Sequence, residues 1–254
     1  DRRYAAFAAG GHWRCADLRS IPSAQFAQAL ARGAPVYDLA TLASYVEQDQ
    51  ALINTFKPDL VVGDFRLSLS VSARLARVPY LTIANAYWSP HYRGGFLLPV
   101  LPMTRWLPLP LAATLFHTFR PIAFAMHCRP MNRLRARHNL PSLGHDLRRI
   151  YTDADHHLVP DMEPLYPIDG ATEQHSYIGP LMWSPAVELP AWWAEPLPSG
   201  HATVYVTLGS SGPGALLNMV LQALDGLPVR VLASTAGAPA PSTLPANARV
   251  AAYL

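Results

Sequence analysis

The chain has 254 residues, of which 50% are hydrophobic and 15% charged, so it can hold one large domain or two smaller ones around a sizeable core. The formal charge is +3, and all but one (Lys57) of the 20 basic residues are scattered arginines, nearest to a cluster at Arg129, Arg133 and Arg135 and again at Arg148 and Arg149; this argues against a nucleic-acid groove and for an anionic small ligand or a membrane surface. Two distant cysteines, Cys15 and Cys128, exclude a disulfide framework or a zinc site and suit a reducing cytoplasm.

The opening DRRYAAFAAGGHWRC has no initiator Met and no signal-peptide pattern, and with the abrupt ending RVAAYL it suggests that both ends are cut. His12, after an apolar run, has no identified partner and is expected to be structural. PSAQFAQALARG predicts a helix capped by Ser23 and stopped by Gly33. Residues 41–56 have helical apolar spacing at Leu42, Tyr45, Val46, Leu52 and Ile53, ended by Lys57 and Pro58. DLVVG (59–63) does not alternate and predicts a strand covered on both faces, with Gly63 releasing the backbone before Asp64. A helix rich in small residues (67–78) and a strand (79–85) complete a compact βαβ unit, which implies a parallel sheet.

Residues 95–142 are apolar and proline-rich, then helical to about His138. Their most apolar run, WLPLPLAATLFHTF, has 14 residues, two prolines and a closing Arg120. A spanning helix needs about 20 apolar residues, so a core or interfacial helix is expected. DHHLVP (155–160) and SYIGP (176–180) predict two more strands. Residues 182–200, rich in proline and carrying Trp183, Trp192 and Trp193, predict a linker whose aromatic faces serve packing. After it the βαβ pattern restarts, with strands at 203–209, 229–235 and 248–254. The helix between the first two (214–227) shows Leu217, Val220, Leu221 and Leu224 on one face.

Four places could carry chemistry. Asp64 ends a buried parallel strand, on the edge where open α/β sheets bind ligands. A carboxylate there can hold a histidine and stabilise its imidazolium, or it can cap the following helix. TLGSSGPG (207–214) offers free amides, two hydroxyls and a helix start suited to a phosphate, or an ordinary capped turn. It is neither a Walker loop nor G-x-G-x-x-G. Asp153, Asp155, His156, His157, Asp161 and Glu163 could suggest a metal, but adjacent strand residues face opposite ways. His156 and His157 therefore cannot share one ion, and a structural role is expected. His12 is the fourth.

Taken together, KPDLVVGDFRLSLSVSARLARVPYLTIANAYWSP, YIGPLMWSP, VYVTLGSSG and STAGAPAPSTLPANARVAAYL resemble the nucleotide-sugar glycosyltransferases of family 1, from about Lys57 to Leu254. The similarity is greatest to the bacterial branch that acts on natural products and lipids. It implies an α/β chain of the GT-B fold, two Rossmann-like domains. Residues 1–181 would be an acceptor domain lacking its first strands, 182–200 the linker and 201–254 the start of the nucleotide-sugar donor domain.

The resemblance implies that Asp64 orients a catalytic histidine, that Gly209, Ser210 and Ser211 meet the donor diphosphate, and that Asn85, Tyr87 and Trp88 line the acceptor pocket. It implies a nucleoside-diphosphate sugar as co-substrate, a small-molecule or lipid hydroxyl as acceptor, inversion at the anomeric carbon, and no metal or other cofactor. The family's histidine lies far upstream in the first strand–helix loop, whereas His12 precedes Asp64 by 52 residues, so His12 is not expected to be that base. The donor signature after AAYL is absent, and the fragment alone is expected to be inactive. The implied location is cytoplasmic, with peripheral membrane contact. The alternative is a non-catalytic binding protein or membrane-associated accessory protein of the same fold. A nicotinamide-binding enzyme is disfavoured by the glycine spacing.

Overall fold

The computed structural model describes residues 13–169, 174–182, 187–194, 200–209 and 214–254. They fall into two compact units, 13–182 and 187–254.

The first unit is built on a four-stranded parallel sheet of order β1-β2-β3-β4: β1 is Val61–Asp64, β2 Tyr80–Ile83, β3 His156–Val159 and β4 His175–Tyr177. Five helices accompany it: α1 (Ser23–Arg32), α2 (Leu39–Phe56), α3 (Leu69–Ala76), α4 (Leu109–Arg137) and α5 (Leu147–Thr152). Helix α2 starts because the Asp38 side chain accepts from the Thr41 amide at 2.7 Å. Ser23 is the first residue of α1 rather than its cap: Pro22 holds the cap position without a side-chain bond, its fixed φ leading into the helix. Gly33 ends α1 in the left-handed region (φ 61°), as predicted.

Helix α3 explains its small residues. Leu69 and Ala73 pack with Tyr80 against the sheet, while Val71 on the other side joins Leu42, Val46, Cys128, Met131, Leu134 and Ile150 of α2, α4 and α5. The helix is buried from both sides, and the serines 68, 70 and 72 are buried with it. Gly63 is glycine for the same reason. Its φ is not positive, but an added Cβ would stand 2.6 Å from Leu69 Cδ1 and 3.1 Å from the Tyr80 ring.

The expectation that β1 is covered on both faces is corrected. Gly63 is buried, but Leu60 and Val62 are about half exposed. Strand β1 is at the sheet edge, with β2 its one strand neighbour among the described residues. The helices cover the face of Gly63, Tyr80 and Thr82, whereas the face of Val62, Leu81 and Ile83 is partly open. An unalternating run reports apolarity, and it does not report strand order.

The second unit has a three-stranded parallel sheet, β5 (Ala202–Thr207), β6 (Val229–Ser234) and β7 (Ala248–Ala251), with helix α6 (Gly214–Ala223). Leu217 and Leu221 of α6 bury against Val206, Val231 and Ala233, with Val220 and Leu224 beside them. Arg230 donates to the Trp192 carbonyl at 2.9 Å and ties the short turn Ala191–Ala194 to β6. Trp183 lies outside the described residues.

Alternation in β3 puts His157 in the core, 2% exposed, and leaves His156 half-buried, its Nε2 2.9 Å from Ser176 Oγ. The Nε2–H of His157 donates to the Ala84 carbonyl at 2.7 Å, and its Nδ1 is buried without a partner among the described residues. The ring of His175 lies 5.2 Å away. Burial pushes the His157 pKa down to about 4. The folded form therefore stays neutral in a range where the unfolded chain takes up a proton near pH 6.5. Stability from this residue is complete above about pH 6.5 and is lost as pH falls toward 4, by up to about 3 kcal/mol. Urea melts across that range should show His157→Gln, which keeps a donor to Ala84, with a shallower loss on acidification than the parent. Equal slopes would contradict the assignment.

Candidate functional site

The carboxyl ends of β1, β2 and β3 meet at one edge of the first sheet. Asp64 is the last residue of β1, in register with Ile83 of β2, and is exposed. It does not cap α3, whose cap position is Ser68, four residues further on. Phe65, next to Asp64, has φ 51°, a left-handed conformation that a bulky residue adopts only under constraint. Its ring is held by two others, with centroids 5.3 Å from Tyr151 and 6.0 Å from Trp88.

After β2, Asn85 leads into a short turn, Ala86–Trp88. Asp161, just beyond β3, holds this turn: it accepts from the Asn85 side-chain amide at 3.0 Å and from the Ala86 amide at 2.6 Å. The turn then projects Tyr87 outward and turns Trp88 inward, 4.3 Å from the Tyr151 ring. Burial pushes the Tyr151 pKa up to about 12, so its hydroxyl stays protonated.

Tyr87 and Trp88 form one wall of a cavity of about 670 Å³, within the usual range for small-molecule sites. Tyr92, Phe96, Phe124 and Tyr166 supply further walls, and Arg148 is the charged side chain among its lining. A guanidinium–aromatic stack borders it: Arg120 lies 3.8 Å and Arg148 4.9 Å from the Phe96 ring centre. The loop that carries Tyr92 is pinned by pairing between Tyr92 and Ile168 and by the ion pair Arg93–Asp169.

Of the residues expected at an acceptor pocket, Tyr87 and Trp88 line this cavity, whereas Asn85 stands behind them on Asp161. Asp64 reaches the aromatic wall through its neighbour Phe65. Gly209 follows β5 in the second unit with φ 65°, its amide 3.4 Å from Thr207 Oγ1. Ser210, Ser211 and His12 lie outside the described residues. The carboxylates of the metal-like stretch hold the fold: Asp155 accepts from the Tyr80 amide at 2.8 Å, and Asp153 binds Arg74 and Arg135. No group of three metal-ligating side chains occurs among the described residues. Sequence reasoning missed Asp161 as the anchor of the turn. Its signal was a second strand followed closely by an aspartate, HHLVPD after LVVGD.

No protein-family profile matches the chain. It is 47% identical over 237 residues to a PGL/p-HBAD biosynthesis glycosyltransferase of Mycobacterium tuberculosis H37Ra, covering 93% of this chain and 55% of that protein. It is 48% identical over 237 residues to a PGL/p-HBAD biosynthesis rhamnosyltransferase of Mycobacterium bovis BCG Pasteur, covering 93% and 52%. By sequence the chain is a homologue of glycosyltransferases. It spans about half the length of the curated relatives it matches. A third relative, from the same M. bovis strain, is named an inactive PGL/p-HBAD biosynthesis glycosyltransferase, 46% identical over 207 residues, covering 82% of this chain and 56% of that protein. Among solved structures, the calicheamicin glycosyltransferase CalG4 superposes with TM-score 0.53 at 15% identity, over 94% of this chain and 55% of that one. The glycosyltransferase of kitacinnamycin gives 0.52 at 17%, over 85% and 53%. These two establish the fold: parallel α/β units of the GT-B type, over the part of the fold that the chain spans.

If the cavity takes the acceptor, Tyr87→Ala should raise the acceptor KM about five- to tenfold, the scale of one aromatic contact, and leave the melting temperature nearly unchanged because Tyr87 is exposed. The measurement is steady-state transfer by a protein of the relatives' full length carrying this sequence. An unchanged KM would remove Tyr87 from the acceptor site.

Proposed function

We propose that this region belongs to an enzyme that transfers a sugar, with inversion, from a nucleoside-diphosphate sugar to a hydroxyl of a small-molecule or lipid acceptor. The observation that carries the proposal is the sequence identity of 47–48% to named glycosyltransferases over 93% of the chain. The aromatic cavity that follows β2, whose Trp88 packs on Phe65 next to Asp64, supports it. The relatives' names favour an acceptor of the PGL/p-HBAD kind, and one of them favours rhamnose as the sugar.

In this mechanism the acceptor lies in the cavity of Tyr87 and Trp88. A histidine removes the hydroxyl proton, and Asp64 stabilises the imidazolium that forms. The acceptor oxygen bonds to the anomeric carbon as the bond from that carbon to the diphosphate breaks. Charge building on the diphosphate is met by Ser210, Ser211 and amides after Gly209, ahead of α6. The left-handed Gly209 and a helix starting at Gly214 are compatible with such a loop. No metal or further cofactor is invoked. The two cysteines favour a cytoplasmic site of action.

The alternative, a non-catalytic protein of the same fold, is favoured by the relative named inactive. The test is a protein of the relatives' length carrying this sequence, incubated with a panel of nucleotide sugars, rhamnose donors included, and aromatic or lipid alcohols. Mass spectrometry should detect a glycosylated product, and its proton NMR couplings should show the anomeric configuration opposite to the donor's. Absence of product with every pair would favour the alternative, and retained configuration would overturn the mechanism.

A further inference from the structure

Helix α4 carries a stripe of exposed side chains that no described residue of its own unit covers. Leu111, Phe119, Ile122 and Met126 are all exposed, and they are spaced so that they fall on one side of the helix. The same side continues with Arg129, Arg133 and Arg137, also exposed. The opposite side buries Cys128, Met131 and Leu134 in the core. Just before the helix, Trp106 is 85% exposed, after the short turn Pro102–Arg105.

Along the chain, the segment that carries this stripe has charge of one sign; Asp146, which lies near Arg120 and Phe124 on another side of α4, is paired with Arg148. From Phe65 to His145 the sequence contains no aspartate or glutamate, and it contains ten arginines. Among the described residues, Arg129, Arg133 and Arg137 have no carboxylate partner. An exposed apolar stripe is a liability unless something covers it. A protein partner would not require the helix and its approach, residues 102–137, to be free of acidic side chains. An anionic bilayer does: apolar side chains enter the interface, arginines meet phosphates, and a carboxylate would be repelled. A tryptophan beside such a stripe belongs at headgroup depth. No described helix is long and apolar enough to cross a membrane, so the helix would lie along the surface.

We propose that the Leu111–Arg137 stripe of α4, with Trp106, docks on the surface of an anionic phospholipid bilayer. The docked helix also supplies Phe124 to the 670 Å³ cavity, so docking would bring that cavity close to the lipid surface. The proposal stands whether or not sugar transfer is demonstrated.

The chain is sedimented with mixed phosphatidylglycerol–phosphatidylcholine vesicles and with phosphatidylcholine vesicles alone. Binding is expected to the mixed vesicles, weakened by added salt, and much less to the neutral ones. Ile122→Asp should weaken it by about tenfold or more, the scale of one buried aliphatic side chain. Arg129→Gln combined with Arg133→Gln should lower binding and flatten its salt dependence. All these sites are exposed, and unchanged thermal melts will show that folding is intact. Trp106 provides a second readout: vesicles of brominated lipid should quench fluorescence in the parent and much less in Trp106→Phe. Equal binding to both vesicle types, or indifference to Ile122→Asp, overturns the proposal. So does a dimer, seen by sedimentation velocity without vesicles, that Ile122→Asp dissociates, since the stripe would then belong to a second copy.

Discussion

Asp153 takes two arginines at once. Arg74, from α3, reaches it through both terminal nitrogens at 2.9 Å, and Arg135, from α4, reaches it at 2.6 Å. Arg135 is almost wholly buried, and its Nε donates to the Pro141 carbonyl at 2.7 Å. Burial lowers the Arg135 pKa and Asp153 opposes that, and a guanidinium keeps its charge under such a shift. Removing the carboxylate would strand the buried Arg135 cation and leave the half-buried Arg74 without its ion pair, a loss on the order of 3–5 kcal/mol. On the other flank of α3, Asp49 does related work, accepting from Arg66 at 3.0 Å and from Ser72 at 3.1 Å. The buried helix is thus clamped from both sides by carboxylates, which fix where α2, α4 and the start of β3 stand around it.

That clamp sets the site. With α3 held against the sheet, only glycine fits at position 63, and β1 can run on to Asp64. The chain must then turn sharply to reach Arg66, which is committed to Asp49. Phe65 absorbs the turn in a left-handed conformation that costs on the order of 1–3 kcal/mol, offset by its contacts with Trp88 and Tyr151. Asp153 likewise fixes the approach to β3, and two residues past the end of that strand Asp161 receives the 85–88 turn. The aromatic wall therefore stands on elements that the Asp49 and Asp153 ion pairs hold in place.

Much of this was legible in the sequence. Long apolar runs broken by Gly, Pro and small residues located both βαβ units, because burial demands such runs wherever a parallel sheet is covered. The apolar face of α6 and the stop at Gly33 were read from residue types alone. The open face at Val62 was not legible, since an apolar run does not say what lies against each face of its strand. Ser23 misled because any serine ahead of an apolar run looks like a cap, and here Pro22 took that place. Phe65 gave no sign of its left-handed backbone, which arises from the demands of its neighbours. The cavity draws on residues from Tyr87 to Tyr166, and only the fold brings them together. Asp64 was singled out correctly as a strand end, and the cap position at Ser68 removes the bland account of it.

The proposed mechanism turns on Asp64 serving a reacting group. It is tested most directly by the turnover of Asp64→Asn in a protein of the relatives' full length carrying this sequence, with the melting temperature recorded alongside. The account predicts kcat lower by about 10²- to 10⁴-fold, the range for disabling a general base or its carboxylate partner, with the fold intact because Asn keeps the size of the side chain. An unchanged kcat in a folded variant would contradict it.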